Sequence, residues 1–202
     1  MHISEGVLSA PILLAGAALA AAGTFVGLRK LDNERLVTVA ILSAAFFVGS
    51  LIHIPIGPSS AHLILNGLLG AVLGWASFPA ILVGLLLQAV LFQYGGLTAL
   101  GVNAFDMAAP AVLCSVLCGP LLRRTGRARA LGAFLCGSLS VLLAAILTAT
   151  ALSLTDEGFV QAATTLVLAH IPVMLLEGGF TMLVVGYLTK TMPELFQTRL
   201  AA

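Results

Sequence analysis

Long apolar runs, cut by short clusters of charged and turn residues, set the pattern of this chain. A helix crossing a hydrocarbon core of about 30 Å needs roughly 20 apolar residues, so each cluster marks the end of a candidate span. A first run extends from about Val7 to Leu28 and stops at Arg29, Lys30, Asp32, Glu34 and Arg35. A second extends from about Leu36 to Ile56 and stops at Gly57-Pro58-Ser59-Ser60. A third runs from about Ala61 to Ala76, and Pro79 opens a fourth that ends near Tyr94. After a Gly-rich interruption from Gly95 to Asp106, a fifth runs from about Met107 to Leu122, ahead of the basic loop 123–129. The sixth runs from about Ala130 to Leu152 and the seventh from about Phe159 to Leu188. The pattern predicts an all-α integral membrane protein: one transmembrane domain over residues 1–202 with seven helices.

Two of these runs are short. Sixteen residues from Ala61 to Ala76 rise only about 24 Å at 1.5 Å per residue, less than the bilayer core. The 57–60 turn is therefore expected to dip below the outer surface, with His62 starting inside the membrane profile. The fifth run is equally short, and the uncharged stretch before it is expected to fold back toward the bundle. Irregular backbone at that depth survives only where it is buried in protein or lines a cavity. Both interruptions fall on the same side, which points to a cavity opening outward.

Composition agrees and narrows the function. Of 202 residues 60% are hydrophobic and 8% charged, with a mean hydropathy of +1.13, whereas a soluble domain carries about 25% charged residues. Nine basic against eight acidic residues, with no basic stripe, argue against nucleic-acid binding. No room is left for a soluble catalytic domain. If the first basic loop is cytoplasmic, the span count puts all nine Lys and Arg on that side. The loops opposite then carry only Glu5, Asp106, Asp156 and Glu157. The positive-inside rule thus predicts the N-terminus outside and the C-terminus in the cytoplasm, for a multi-pass protein of the cell (inner) membrane. No Lys or Arg precedes Val7, so the first run reads as a retained helix instead of a cleaved signal, with Met1 as the exported first residue.

Ionisable residues inside spans are costly and are functional candidates. Here they are His53, His62, Asp106, His170 and Glu177, with amides at Asn66, Gln88, Gln93 and Asn103. Met1-His2 adds a chelate: the terminal amine, the amide nitrogen of His2 and its Nδ1 form two fused rings. One further imidazole completes a four-nitrogen set suited to Ni(II) or Cu(II). His62 is the best-placed fourth donor, and His53 is its rival. Cys114, Cys118 and Cys136 read as structural thiols. Neither H-E-x-x-H nor a Walker A motif occurs, which removes the signatures of an intramembrane zinc protease and of ATP hydrolysis by that route. Gly70-x-x-x-Gly74 and Ala40-x-x-x-Ala44 permit close helix packing. Glu177-Gly178-Gly179 suits a gate, a partner contact or a paired buried carboxylate. Two rival functions stand beside metal capture. A stand-alone secondary cation transporter calls for an inverted repeat, and none is visible in the sequence. An intramembrane enzyme using His170 and Glu177 needs two residues that lie two helical turns apart to act together.

The segment Met1-His2-Ile3-Ser4-Glu5-Gly6 is similar to the MHIxEG start of the CbiM/NikM family, the membrane substrate-binding components of energy-coupling factor importers for cobalt and nickel. The resemblance continues through Ile54-Pro55-Ile56-Gly57-Pro58-Ser59-Ser60-Ala61-His62-Leu63, Asn66-Gly67-Leu68-Leu69-Gly70 and Gly95-Gly96-Leu97-Thr98-Ala99-Leu100-Gly101-Val102-Asn103, covering essentially the whole chain. It implies a seven-helix fold whose N-terminal segment inserts into a central pocket. There the Met1 amine, the amide and imidazole of His2 and the imidazole of His62 hold the metal, with Ser60 and Asn103 as supporting residues; His53, the rival ligand, is a further candidate for that supporting role. It further implies a transporter subunit, not an enzyme, with Co2+ or Ni2+ as cargo and no organic cofactor. The implied partners are a transmembrane coupling subunit, a small accessory membrane subunit and a pair of cytoplasmic ATPases. Four planar nitrogens favour nickel chemically, but the short chain looks more like the cobalt members, and the reading leans to cobalt.

Overall fold

The computed structural model describes residues 3–56 and 59–197, the side chains of 53–56, 59–61 and 197 excepted. Apolar runs become helices because hydrocarbon offers the backbone no water, and a helix pairs its amides within one segment. Helix α1 (Ala10–Arg29) takes Pro11 in its first turn, where a missing N–H costs nothing, and stops at the charged cluster. Helix α2 (Leu36–Gly49) leads into an antiparallel hairpin of β1 (His53–Ile56) and β2 (Ser59–His62). Then come α3 (Asn66–Leu73), a turn at Gly74 with φ 58°, and α4 (Ser77–Phe92). Beyond a non-helical segment follow α5 (Leu100–Leu117), the short α6 (Gly119–Leu122), α7 (Arg127–Thr155), α8 (Val160–Thr191) and the terminal turn α9 (Glu194–Gln197).

Five helical stretches are long and apolar enough to cross a membrane: Ala10–Arg29, Asn66–Phe92, Leu100–Leu117, Arg127–Thr155 and Glu157–Thr191. Helices α2, of 14 residues, and α3, of 8, are shorter. The protein is nearly all-helical, and the hairpin is where it departs from the predicted pattern. Ile54-Pro55-Ile56 joins β-branched side chains to a proline that lacks an N–H and disfavours helical backbone before it. The helix therefore ends at Gly49, and β1 pairs with β2 in the register His53↔His62, Ile54↔Ala61, Pro55↔Ser60 and Ile56↔Ser59. The fifth helix also begins earlier than its apolar run, at Leu100 instead of Met107. Asp106 is thus not a loop residue. It lies inside α5, 5% exposed, where the Thr148 hydroxyl of α7 donates to its Oδ2 at 3.2 Å.

Helix α5 is the centre of the bundle and packs against α1, α3, α4 and α7, while α8 packs along α7 and meets α3. Glycines set the closest approaches. A Cβ on Gly67 would fall 2.5 Å from the Gly137 Cα, and one on Gly137 would fall 2.7 Å from the Glu177 carbonyl oxygen. On α8, a Cβ on Gly178 would fall 2.9 Å from the Phe134 carbonyl oxygen. Backbones of α3, α7 and α8 therefore touch where side chains would hold them apart. Gly70 likewise seats α3 on the Ala111 backbone of α5, whereas Ala40 and Ala44 face away from the bundle. Large apolar side chains such as Leu14, 72% exposed, and Leu183, 70% exposed, cover the outward faces, as lipid contact requires.

The glycine contact is testable by two methyl additions. Gly67→Ala is expected to lower the unfolding free energy in detergent by about 1–3 kcal/mol, the usual cost of overpacking an interior. Gly179→Ala, with nothing within 4 Å of its added methyl, is expected to leave stability unchanged or slightly raised. Melting curves of the two variants measured side by side check the contrast.

Candidate functional site

The N-terminal segment is fixed to the first turn of α5. The Ile3 N–H donates to Asn103 Oδ1 at 2.9 Å, and Asn103 Nδ2 donates to the Ile3 carbonyl at 3.0 Å. The planar side-chain amide thus matches the edge of a peptide, as a neighbouring strand would. Ile3 and Asn103 are each 4% exposed, so both bonds are shielded from competing water. Ile3 joins Leu8, Val102 and Ala151 in an apolar cluster of its own. Two residues on, Glu5 Oε1 accepts from the Thr98 N–H at 3.1 Å. Gly96, at φ +96°, makes room for that contact, since a Cβ there would fall 2.0 Å from the Glu5 Cγ. Met1 and His2 lie outside the described residues, but the chain that follows them is held at two points.

His62, the last residue of β2, is half-buried, with Nδ1 3.0 Å from the Leu63 carbonyl. A carbonyl only accepts, so in this contact Nδ1 is the donor. His53 is its partner in the strand register; the side chains of His53 and Ser60 lie outside the described residues.

The backbone between His62 and α3 follows neither strand nor helix; the Leu63 N–H donates to the Ile52 carbonyl at 3.3 Å, and the next two donors are met from another helix. Ile64 N–H donates to Glu177 Oε1, and Leu65 N–H lies 3.2 and 3.1 Å from the two carboxylate oxygens. Leu65 has φ 56°, a left-handed conformation uncommon for a branched residue. The next residue, Asn66, ties α3 to two neighbours: Nδ2 lies 3.2 Å from the Met107 carbonyl and 3.3 Å from that of Ser140, while Oδ1 accepts from Gly67 N–H. Glu177 and Asn66 are both fully buried. The carboxylate meets free N–H groups at the entry to α3, where the helix dipole also favours negative charge.

Glu177 is therefore a positioning residue for the segment carrying His62. Among the described residues no hydrogen bond joins it to His170, whose Nδ1 sits 2.7 Å from Leu166 O within α8. That arrangement gives the acid/base pairing of His170 with Glu177 no support. The three cysteines are buried and form no disulfide among the described residues, with Cys136 Sγ 3.5 Å from Gly67 O. Among the described residues no three His, Cys, Asp or Glu side chains converge as a metal site. The link from Glu177 to Ile64 and Leu65 is what single-residue reasoning missed. Its sequence signal is a buried polar residue followed directly by glycine, at Asn66-Gly67 and again at Glu177-Gly178, in runs otherwise apolar.

Residues 2–195 match the CbiM family, described as the cobalt uptake substrate-specific transmembrane region. A protein of Haemophilus influenzae, named only provisionally for metal transport, is 45% identical over 96% of both chains. The cobalt transport protein CbiM of Kyrpidia tusciae is 34% identical over 96% of this chain and 85% of its own. The crystal structure of a truncated transition metal transporter superposes with a TM-score of 0.76 at 28% identity, covering 95% of this chain and 99% of the other. This chain belongs to the CbiM family.

Glu177→Ala is expected to leave the Ile64 and Leu65 N–H groups unpaired, at about 1–3 kcal/mol for each buried donor. Amide exchange over residues 63–66 should then accelerate ahead of the rest of α3. Glu177→Gln, which keeps an acceptor oxygen, should show a smaller change. Unaltered exchange in both variants would contradict the anchoring role.

Proposed function

We propose that this chain is the substrate-binding subunit of an ATP-driven energy-coupling factor importer that captures a bare Co2+ or Ni2+ ion outside the cell. The ligand set in this reading is the Met1 amine, the His2 amide and imidazole nitrogens and the imidazole of His62. Asn103, Ser60 and His53 act as supporting residues. The observation that carries it is the double hydrogen bond between Asn103 and Ile3. It immobilises the residue directly after His2, so a chelate formed there is held in place instead of being ordered at the moment of binding. The second support is the carboxylate of Glu177, which fixes the backbone just beyond His62.

In this reading the seven passes are α1, α2, the hairpin together with α3, α4, α5, α7 and α8, the stretch Asn66–Phe92 being divided at Gly74 between the third and the fourth. Contacts of α2 and of Arg35 just before it support the arrangement: Ser43 Oγ donates to Ala80 O at 2.8 Å, and Arg35 Nη2 donates to Val72 O at 3.0 Å. The N-terminus faces out, and the basic loops face the cytoplasm of a cell-membrane protein. A transmembrane coupling subunit, a small accessory membrane subunit and two cytoplasmic ATPases supply the energy. The cargo needs no organic cofactor. Cobalt is the favoured ion of the two.

Ligand nitrogens must shed their protons before they bind metal, so affinity strengthens as pH rises. With a free α-amine near 7.7–8.0 and an ordinary His near 6.5, the steepest gain is expected from about pH 6 to 8. The test offers equal Co2+, Ni2+, Zn2+ and Cu2+ to purified protein with an unblocked Met1. Wild type should retain one equivalent of cobalt or nickel. His62→Ala and a form with one residue added before Met1 should both lose it while keeping the wild-type melting curve. Normal binding by the extended form, or an affinity flat across that pH window, would overturn the amine ligation.

A further inference from the structure

At the end of the bundle opposite Asn103, a cavity of about 530 Å3 opens between the ends of α1, α3, α5, α6 and α8. Its lining includes Lys30, Arg35, Arg123 and Arg129 and, among the described residues, no acidic side chain. Three of these cations are held by neutral groups. Arg35 Nη2 donates to Val72 O at 3.0 Å, and Arg129 Nε donates to Leu122 O at 3.1 Å. The Lys30 ammonium rests 5.2 Å from the centre of the Trp75 ring. A carbonyl or a ring orients a cation without cancelling its charge, and each guanidinium has five donors, of which one is used in the bond named here. Such a cavity repels a divalent metal ion and attracts an anion.

We propose that this cavity binds the phosphate-bearing headgroup of an anionic phospholipid. The apolar surface beside it distinguishes a lipid from a soluble phosphate. Val116 lines the cavity and is also 63% exposed on the outside of α5. Leu113, 49% exposed, and Leu117, 62% exposed, lie three residues before and one after it, on the same outward strip. An acyl chain leaving the cavity past Val116 therefore finds an apolar track along the helix. Trp75 in the wall is the residue type favoured at headgroup depth. Basic pockets of this kind, on the side where positive loops gather, match the anionic lipid of that leaflet.

The test is native mass spectrometry of the whole protein in detergent, offered phosphatidylglycerol or phosphatidylcholine with the same acyl chains. Wild type should retain one phosphatidylglycerol and little phosphatidylcholine. Lys30→Gln and Arg35→Gln should each weaken retention about fivefold, the usual share of one basic side chain in binding an anionic surface. Arg35→Gln also removes a bond to α3. Lys30→Gln leaves the described hydrogen bonds intact and keeps the test decisive if the arginine variant fails to fold. Glycerol 3-phosphate in equal amount should not displace the lipid. Equal retention of the two lipids, or retention unchanged by Lys30→Gln, would overturn the site. Displacement by glycerol 3-phosphate at equal concentration would overturn the lipid and leave a site for free phosphate. None of these outcomes depends on the metal ligands proposed above.

Discussion

A carboxylate buried in a membrane bundle is costly unless hydrogen-bond donors surround it, and Glu177 takes its donors from a segment more than a hundred residues away. The N–H groups of Ile64 and Leu65 are themselves without helical or strand partners, so each side of the contact removes a penalty the other would carry. The bond lies where α3, α7 and α8 approach at glycine distance, through Gly67, Gly137 and Gly178. Placement of His62 follows from that contact. β2 ends, three residues turn through the left-handed Leu65, and α3 begins at a buried Asn66 already bound to α5 and α7.

Helix α5 performs the complementary task for the N-terminal segment. Asn103 grips the Ile3 peptide, and one turn further on Asp106 is bonded to Thr148 of α7. Asn103 and Glu177 therefore act alike. Each is a buried polar side chain in an apolar helix, and each fixes irregular backbone beside a proposed ligand: His2 in one case, His62 in the other. Neither needs to touch metal. Supporting residues of this kind determine whether a site is organised before its ion arrives. The opposite end of the bundle has the reverse character, with basic side chains gathered around a cavity.

Much of the fold is legible in the apolar runs. Helices α1, α4, α7 and α8 occupy the stretches that hydropathy assigns to them, because in hydrocarbon an unbroken apolar run has one cheap backbone solution. The errors fall where a run contains a local conflict. Ile54-Pro55-Ile56 is apolar enough to extend α2, yet β-branching and proline turn it into a strand. Asp106 looks like a boundary, yet one hydroxyl from α7 lets it stay inside α5. The candidate site divides the same way. His62 and Asn103 stand in motifs that one sequence displays, and Asn103 is found gripping the peptide after His2. Glu177 was visible only as a buried acid. Its partners are backbone amides, which carry no residue-type signature, and nothing short of the fold could name them.

In the function proposed for this chain, two anchored backbone segments present an all-nitrogen site to a bare metal ion. X-ray absorption at the metal edge of the loaded protein tests it most directly. The expected result is a first shell of nitrogen at short distance, with outer scattering from two imidazoles and no more. A six-coordinate shell of oxygen donors, or scattering from three or more imidazoles, would contradict it.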